Sequence, residues 1–250
     1  MIAEYMARVL KDTQQSGSEY AHFSRSGVTT HPIPFFGDAQ SAKVLTVGVN
    51  PSAAEFVKKR VWPAELEAIE LADRLCRYFV SAPAPPHPWF RTWTEALAVL
   101  DISYREAAAH LDLSPRATVA MGSISNWQEF ASMVERDARW FFQLLTLPQA
   151  PRLILIAGCV TKRWYIDEFI ARIAPAHGYE LKGYSQKTGE GRIGHLKLIG
   201  PAYEVPVFFC SVSPSGNKRR VLVSRVREHR RTLAGWLNTG KDCPSVSPRF

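Results

Sequence analysis

Three nearly continuous apolar runs punctuate the chain: Lys43 to Val49 (KVLTVGV), Arg152 to Gly158 (RLILIAG) and Glu204 to Val212 (EVPVFFCSV). Runs of this length predict strands buried on both faces, as a parallel sheet covered by helices requires. A shorter run, Ala109 to Leu113 within AHLDLSPRAT, predicts a fourth strand. Between them, Pro63 to Phe79, Phe90 to Leu100 and Ser125 to Leu147 carry apolar residues at helical spacing and can supply the crossovers; the Pro-rich stretch Ala82 to Pro88 interrupts them. Ile2 to Lys11 also predicts a helix, followed by an irregular segment from Gln14 to Thr30 that is rich in Ser, Gly and Thr. Val221 to Leu237 predicts one basic amphipathic helix, and Asn238 to Phe250 carries Gly, Ser and Pro and predicts a flexible tail. There is no internal repeat. The pattern predicts an α/β fold, a three-layer α/β/α sandwich with an open, mainly parallel central sheet. A single domain would span residues 1–238, with a flexible C-terminal tail at 239–250. Sites in such a fold form at the carboxyl ends of the strands.

Charge narrows the partner. Lys and Arg outnumber Asp and Glu by 31 to 23, a formal net charge of +8, which favours a polyanion. Much of the excess lies near the C-terminus, in Lys218, Arg219, Arg220, Arg225, Arg227, Arg230 and Arg231. A solvated helix face would account for it if nothing functional stood beside it. No apolar run is long enough to cross a membrane, and the N-terminus lacks the unbroken apolar stretch of a secretory signal, so a cytoplasmic protein is expected. The four cysteines form no C-x-x-C pair, which argues against zinc and iron–sulfur centres.

Two loops follow strands directly. The first is Gly48-Val49-Asn50-Pro51-Ser52, where Gly lets the chain turn, Pro sets the exit direction and Asn offers a neutral donor and acceptor at the strand tip. The second is Ser213-Pro214-Ser215-Gly216-Asn217, followed by Lys218, Arg219 and Arg220. Either loop alone reads equally well as an ordinary turn. Together they can converge on one cleft. In order and spacing the two loops resemble the motifs of the uracil-DNA glycosylase superfamily, G-x-(D/N)-P early in the chain and (H/N)-P-S near its end. The resemblance is closest to the mismatch-specific uracil/thymine branch and the single-strand-selective branch, which use Asn in the first motif.

That resemblance implies a monofunctional DNA glycosylase. It would hydrolyse the N-glycosidic bond of a flipped-out uracil or modified pyrimidine and leave an abasic site, without cofactor or metal. Single- or double-stranded DNA would be its partner, and the protein would act as a monomer. A base inside a duplex is inaccessible, so the nucleotide must leave the stack. Phosphate contacts from Lys218, Arg219 and Arg220 and from the backbone of the Ser213–Gly216 loop would hold the strand. The wedge position of the family falls on Asn217, a polar residue, so either single-stranded DNA is acceptable or the wedge lies elsewhere.

The reaction passes through an oxocarbenium-like sugar and a departing base anion, which calls for a positioned water and donors near the base oxygen. Asn50 would orient the water, because an amide is a poor base near neutral pH. Backbone N–H groups around Val49 and Ser52 would help hold the base. The place of the family's second-motif His is taken by Ser213, which can donate a hydrogen bond but has no imidazole. Trp62, or else Phe56, stands where relatives place the ring that stacks on the base, an interaction worth about 1–3 kcal/mol; core packing explains either residue equally well. The efficient uracil-specific branch has a Tyr after the motif's Pro, whereas Ser52 is small and followed by Ala53 and Ala54. A 5-substituted or otherwise modified pyrimidine is therefore expected, in base-excision repair or in defence against phage DNA with hypermodified cytosines. The alternative is a DNA-binding member of the same fold without catalysis.

Other candidates rank lower. His110 and Asp112 would share one side of a strand, and a capped strand end is the expected role. His31, His87, His177, His195 and His229 form no metal-ligand pattern. Gly189 to Gly194 matches G-x-G-x-x-G in letters, but it follows no clear apolar strand and precedes no helix, so a loop is expected.

Overall fold

The computed structural model describes residues 1–56, 62–63, 65–81, 86–146, 151–160, 164–188, 191–212 and 219–239. The predicted strands form where the apolar runs lie. They are β2 (Val44–Gly48), β3 (Ala108–Asp112), β4 (Leu153–Ala157) and β7 (Glu204–Cys210). Every residue of β2, β3 and β4 is buried, which is why these segments read as unbroken hydrophobic runs rather than alternating ones. The four strands are parallel, in the spatial order β3-β2-β4-β7. Antiparallel strands extend this block at both ends: β1 (Phe35–Phe36) beside β3, and β6 (Gly191–Ile199) and β5 (Glu180–Thr188) beyond β7. Among the described residues this makes a seven-stranded mixed sheet.

Among the described residues eight α-helices accompany it: α1 (Ile2–Gln15), α2 (Ala68–Cys76), α3 (Tyr78–Ser81), α4 (Phe90–Ala98), α5 (Trp127–Leu144), α6 (Ile166–Ile173), α7 (Arg219–Glu228) and α8 (Arg230–Thr239). Helix α5 begins where Asn126 accepts a hydrogen bond from Glu129 N at 3.1 Å and returns one to the Glu129 carboxylate at 2.9 Å, a cap worth about 1 kcal/mol. It runs as far as Phe130, Met133, Val134, Phe141 and Leu144 keep one face buried. Glu67 and Glu70 form a reciprocal cap that starts α2. Helices α4, α7 and α8 pack on the sheet face that carries His110, Phe208 and His195. On the opposite face, Tyr165 at the start of α6 meets Phe209. Tyr5 of α1 packs edge-on against Trp140 of α5 and donates to its carbonyl at 3.1 Å.

Four sequence expectations are corrected. The C-terminal helix is two helices, α7 and α8, separated at His229; the apolar spacing is continuous across the break, and the turn coincides with the meeting of His229 and His195 of β6. Residues 191–194 of the glycine-rich stretch belong to strand β6 rather than to a loop. Asn238 and Thr239, expected within the flexible tail, close α8; residues 240–250 lie outside the described residues. The irregular segment expected from Gln14 is shortened by α1, which runs on to Gln15, and it includes a single 3-10 turn at Ala21–Phe23. Helix α6, strands β1 and β5, and β6 beyond Gly194 carried no sequence expectation. Strand β5 is mostly exposed, so it lacks the buried apolar set by which a strand is recognised in sequence.

Candidate functional site at the carboxyl ends of the parallel strands

The register aligns four strand ends. Gly48 of β2 pairs with Asp112 of β3, Val47 pairs with Ile156 so that Ala157 of β4 stands beside Gly48, and Ala157 pairs with Cys210 of β7. From β2 the chain crosses to β3 on one side, whereas after β4 it runs through β5, β6 and β7 on the other. The carboxyl ends of β2 and β4 are therefore the switch point of the sheet, where open α/β folds leave a crevice. The loop Gly48–Ser52 leaves β2 at this point. Opposite it, β4 is followed by Gly158, whose φ of 102° suits glycine, and by exposed Cys159.

A second segment, residues 112–118, fastens the first loop along its length. Leu113 N donates to Gly48 O at 3.2 Å, Ser114 N to Val49 O at 2.9 Å, Thr118 N to Pro51 O at 3.2 Å and Ala53 N to Thr118 O at 2.8 Å. Ser52 forms a parallel bridge with Thr118 and accepts from Ala54 N at 3.2 Å on its hydroxyl. Asn50 is half-buried within this frame. Its Nδ2 donates to Pro51 O at 2.9 Å, Arg116 O at 3.0 Å and Thr118 Oγ1 at 2.8 Å. These acceptors set the amide orientation, because the opposite one would turn Oδ1 onto two carbonyl oxygens. Oδ1 has no hydrogen-bond partner among the described residues and is an acceptor open to a ligand or water.

The frame is anchored by a buried ion pair. Arg116 Nε lies 3.0 Å from Asp137 Oδ2, with the Asp137 side chain fully buried; Ser114 Oγ donates to the same oxygen at 2.6 Å. The guanidinium also reaches Thr13 O on α1 and Ser16 Oγ just after it. Burial pushes the Asp137 carboxyl above its usual range, with Arg116 pulling the other way. These partners were not legible in the sequence: Arg116 is an isolated basic residue in a turn-like phrase, and Asp137 an isolated acid in a helix.

Phe56 and Trp62 come together as an aromatic cluster with ring centroids 5.4 Å apart, and His31 lies 6.1 Å from each. His31 Nε2 donates to Pro63 O at 2.7 Å, which fixes its ring against the tryptophan. Both aromatics are half-buried, one edge on the core and one open. A cavity of about 700 Å³ adjoins them, lined by Tyr20, Phe23, His31, Glu67, Arg116 and Thr118 among others. It shares Arg116 and Thr118 with the Asn50 contacts, but most of its walls come from α1, the segment after it and the residues at the start of α2, not from the strand ends. The row of strand ends is the better candidate for chemistry, since the backbone loop, the oriented amide and the strand termini converge there.

Of the second loop, Ser213, Pro214, Ser215, Gly216, Asn217 and Lys218 lie outside the described residues. Its flanks are described. Cys210 closes β7 in the row of strand ends, Val212 is buried, Arg219 opens α7 and Arg220 follows it, exposed. The basic residues beyond are partly engaged: Arg225 pairs with Glu228 at 2.7 Å and Arg230 with Asp101 at 2.9 Å, while Arg227 and Arg231 are exposed.

One group of buried polar residues adjoins the loop. His110 and Asp112, each nearly inaccessible, lie with Nε2 and Oδ1 3.4 Å apart. Among the described residues, no group of three or more His, Cys, Asp or Glu side chains could hold a metal ion, and no helix is long and apolar enough to cross a membrane. No protein-family model and no curated protein matches the chain, so the chemistry of the strand-end loop is what bears on its function.

Proposed function

We propose that the chain is a DNA glycosylase that hydrolyses the bond between deoxyribose and a flipped-out pyrimidine. It would have the three-layer architecture of the uracil-DNA glycosylase superfamily, which the first loop and the second loop resemble in sequence. The observation that carries this reading is the state of Asn50. Its amide nitrogen is held by two backbone carbonyls and a hydroxyl, so its Oδ1 stands as a fixed acceptor at the switch point of the sheet. A fixed acceptor is what orienting a water demands. Strand β7, which precedes the second loop, ends at Cys210 in the same row of strand ends; the resemblance implies for that loop that Ser213 would assist at the base and that the backbone through Gly216, Asn217 and the cations Lys218, Arg219 and Arg220 would contact the DNA. Trp62, supported by Phe56 and His31, offers the stacking surface. The small side chains of Ser52, Ala53 and Ala54 leave room for a substituent at the pyrimidine 5-position, which favours a modified base over plain uracil.

The test is to incubate the purified protein and its Asn50→Ala variant with DNA carrying uracil, 5-hydroxymethyluracil or glucosylated hydroxymethylcytosine, then to cleave abasic sites with alkali. Cleavage by the native chain that disappears in the variant supports the reading and names the base. Absence of cleavage on all three, with salt-sensitive DNA binding retained, replaces it with a DNA-binding protein without glycosylase activity.

A further inference from the structure

His110 and Asp112 are two positions apart on β3, so their side chains share one sheet face. The parallel register sets His110 beside Thr46 and Asp112 beside Gly48. A line of polar atoms results. The Tyr104 hydroxyl lies 2.6 Å from Thr46 Oγ1, Thr46 Oγ1 lies 2.7 Å from His110 Nδ1, and His110 Nε2 lies 3.4 Å from Asp112 Oδ1. One proton arrangement suits the line: Tyr104 donates to Thr46, Thr46 donates to Nδ1, and Nε2, the ring nitrogen near the carboxylate, keeps the imidazole proton. The imidazole is walled by Phe36, Trp89 and Phe90, with centroids at 6.2, 4.8 and 5.4 Å, so it has no other partner to turn to.

Stability alone does not call for this line. A buried histidine and carboxylate are costly to desolvate, and apolar residues of similar size usually do as well or better. The sequence also bends to accommodate it. A Cβ at Gly48 would come within 2.6 Å of Asp112 Oδ1 and 2.9 Å of His110 Nε2, so glycine at the strand end is what lets the carboxyl lie against the start of the Gly48–Ser52 loop. Asp112 Oδ2 has no hydrogen-bond partner among the described residues. A perturbed, oriented acid beside a candidate reaction centre is the pattern of a functional group.

We propose that Asp112 Oδ2 accepts the proton of the attacking water in this site, with His110, Thr46 and Tyr104 as positioning residues that hold the carboxyl. This rests on the glycosylase reading and supplies the base that an Asn50 amide cannot be. The water oxygen, oriented by Asn50 Oδ1, bonds to C1′ of the deoxyribose. The C1′–N bond breaks with its electron pair leaving on the base, the water proton passes to Asp112 Oδ2, and the base anion takes a proton from solvent. Burial raises the proton affinity of the Asp112 carboxyl and His110 opposes it. Among the described residues the titratable groups that face it are His110 on its own strand and Tyr104 across the Thr46 hydroxyl; β2 presents Thr46 and Gly48, β1 presents Phe36 and α4 with its preceding residue presents Phe90 and Trp89.

The test is single-turnover base release against pH, on whichever of the three modified DNAs the native chain cleaves, for native protein, Asp112→Asn and Thr46→Val. Asp112→Asn should bind the same DNA within about twofold but release base about 10²–10⁴-fold more slowly, the usual contribution of a general base, and its rate should no longer fall at acid pH. Thr46→Val should keep an acid limb displaced along the pH axis, because Nδ1 has lost its partner. A rate and pH profile for Asp112→Asn equal to the native ones, while Asn50→Ala abolishes release, overturns the proposal and leaves the glycosylase reading standing. Should Asp112→Asn not fold, an unshifted profile in Thr46→Val overturns it in the same way. Native protein that releases no base from any substrate overturns both.

Discussion

The side chain of Asn50 donates to the backbone carbonyl of Arg116 at 3.0 Å, across 66 positions of sequence. Arg116 in turn pairs through its guanidinium with Asp137 of α5 and reaches α1. The candidate water-orienting group is thus hung on a residue whose own place is set by a buried charge, so the geometry of the loop and the stability of the helical layer are coupled.

From that coupling, Arg116→Met should lower stability by about 3–5 kcal/mol, because Asp137 would stay buried without its counter-charge. Urea unfolding measures it. The double variant Arg116→Met with Asp137→Leu should recover most of the loss, and simply additive losses would show that the pair is not the anchor.

Gly48→Ala should be poorly tolerated. The added methyl meets Asp112 and His110, and relief requires shifting two buried side chains, at about 1–3 kcal/mol. For a chain of this size that lowers Tm by about 2–4 °C per kcal/mol. Gly122→Ala, where a Cβ meets nothing within 4 Å, is the control and should leave Tm unchanged or slightly higher. Equal melting of the two variants would contradict the packing described.

Trp62→Ala should weaken binding of DNA carrying the excised base by about 1–3 kcal/mol if the ring stacks on that base, while affinity for unmodified DNA of the same sequence stays within about twofold. Fluorescence anisotropy with both DNAs separates the two. Equal weakening for both would return Trp62 to a packing role with Phe56 and His31.

Acid should destabilise the protein through His195 and His229. Their ring nitrogens lie 3.1 Å apart between β6 and the α7–α8 break, and burial holds both below the ordinary histidine pKa, with the neighbouring His229 adding to the effect at His195. The unfolded chain therefore takes up protons first. Stability is fully present above the ordinary value of about 6.5 and is lost as pH falls through the depressed folded values. Urea midpoints should fall between pH 7.5 and pH 5, and His195→Phe should flatten that dependence; an unchanged slope in the variant would remove the pair as its source.

The sequence by itself determined the parallel block. Strands β2, β3, β4 and β7 lie within a residue or two of their apolar runs because burial on both faces leaves an unambiguous local signature. It also determined that Gly48–Ser52 leaves a strand end, since Gly, Asn and Pro act locally on the backbone. Tertiary structure alone decided what surrounds that loop. That Asn50 is held by residues 116–118, that Arg116 is paired with Asp137, and that Asp112 rests over Gly48 all follow from strand register and long-range pairing, which leave no mark on neighbouring residues. The β5–β6 hairpin escaped for the opposite reason. Its strands are held by backbone hydrogen bonds while the side chains of β5 remain largely solvated, and a ladder of that kind depends on the partner strand rather than on hydrophobic pattern.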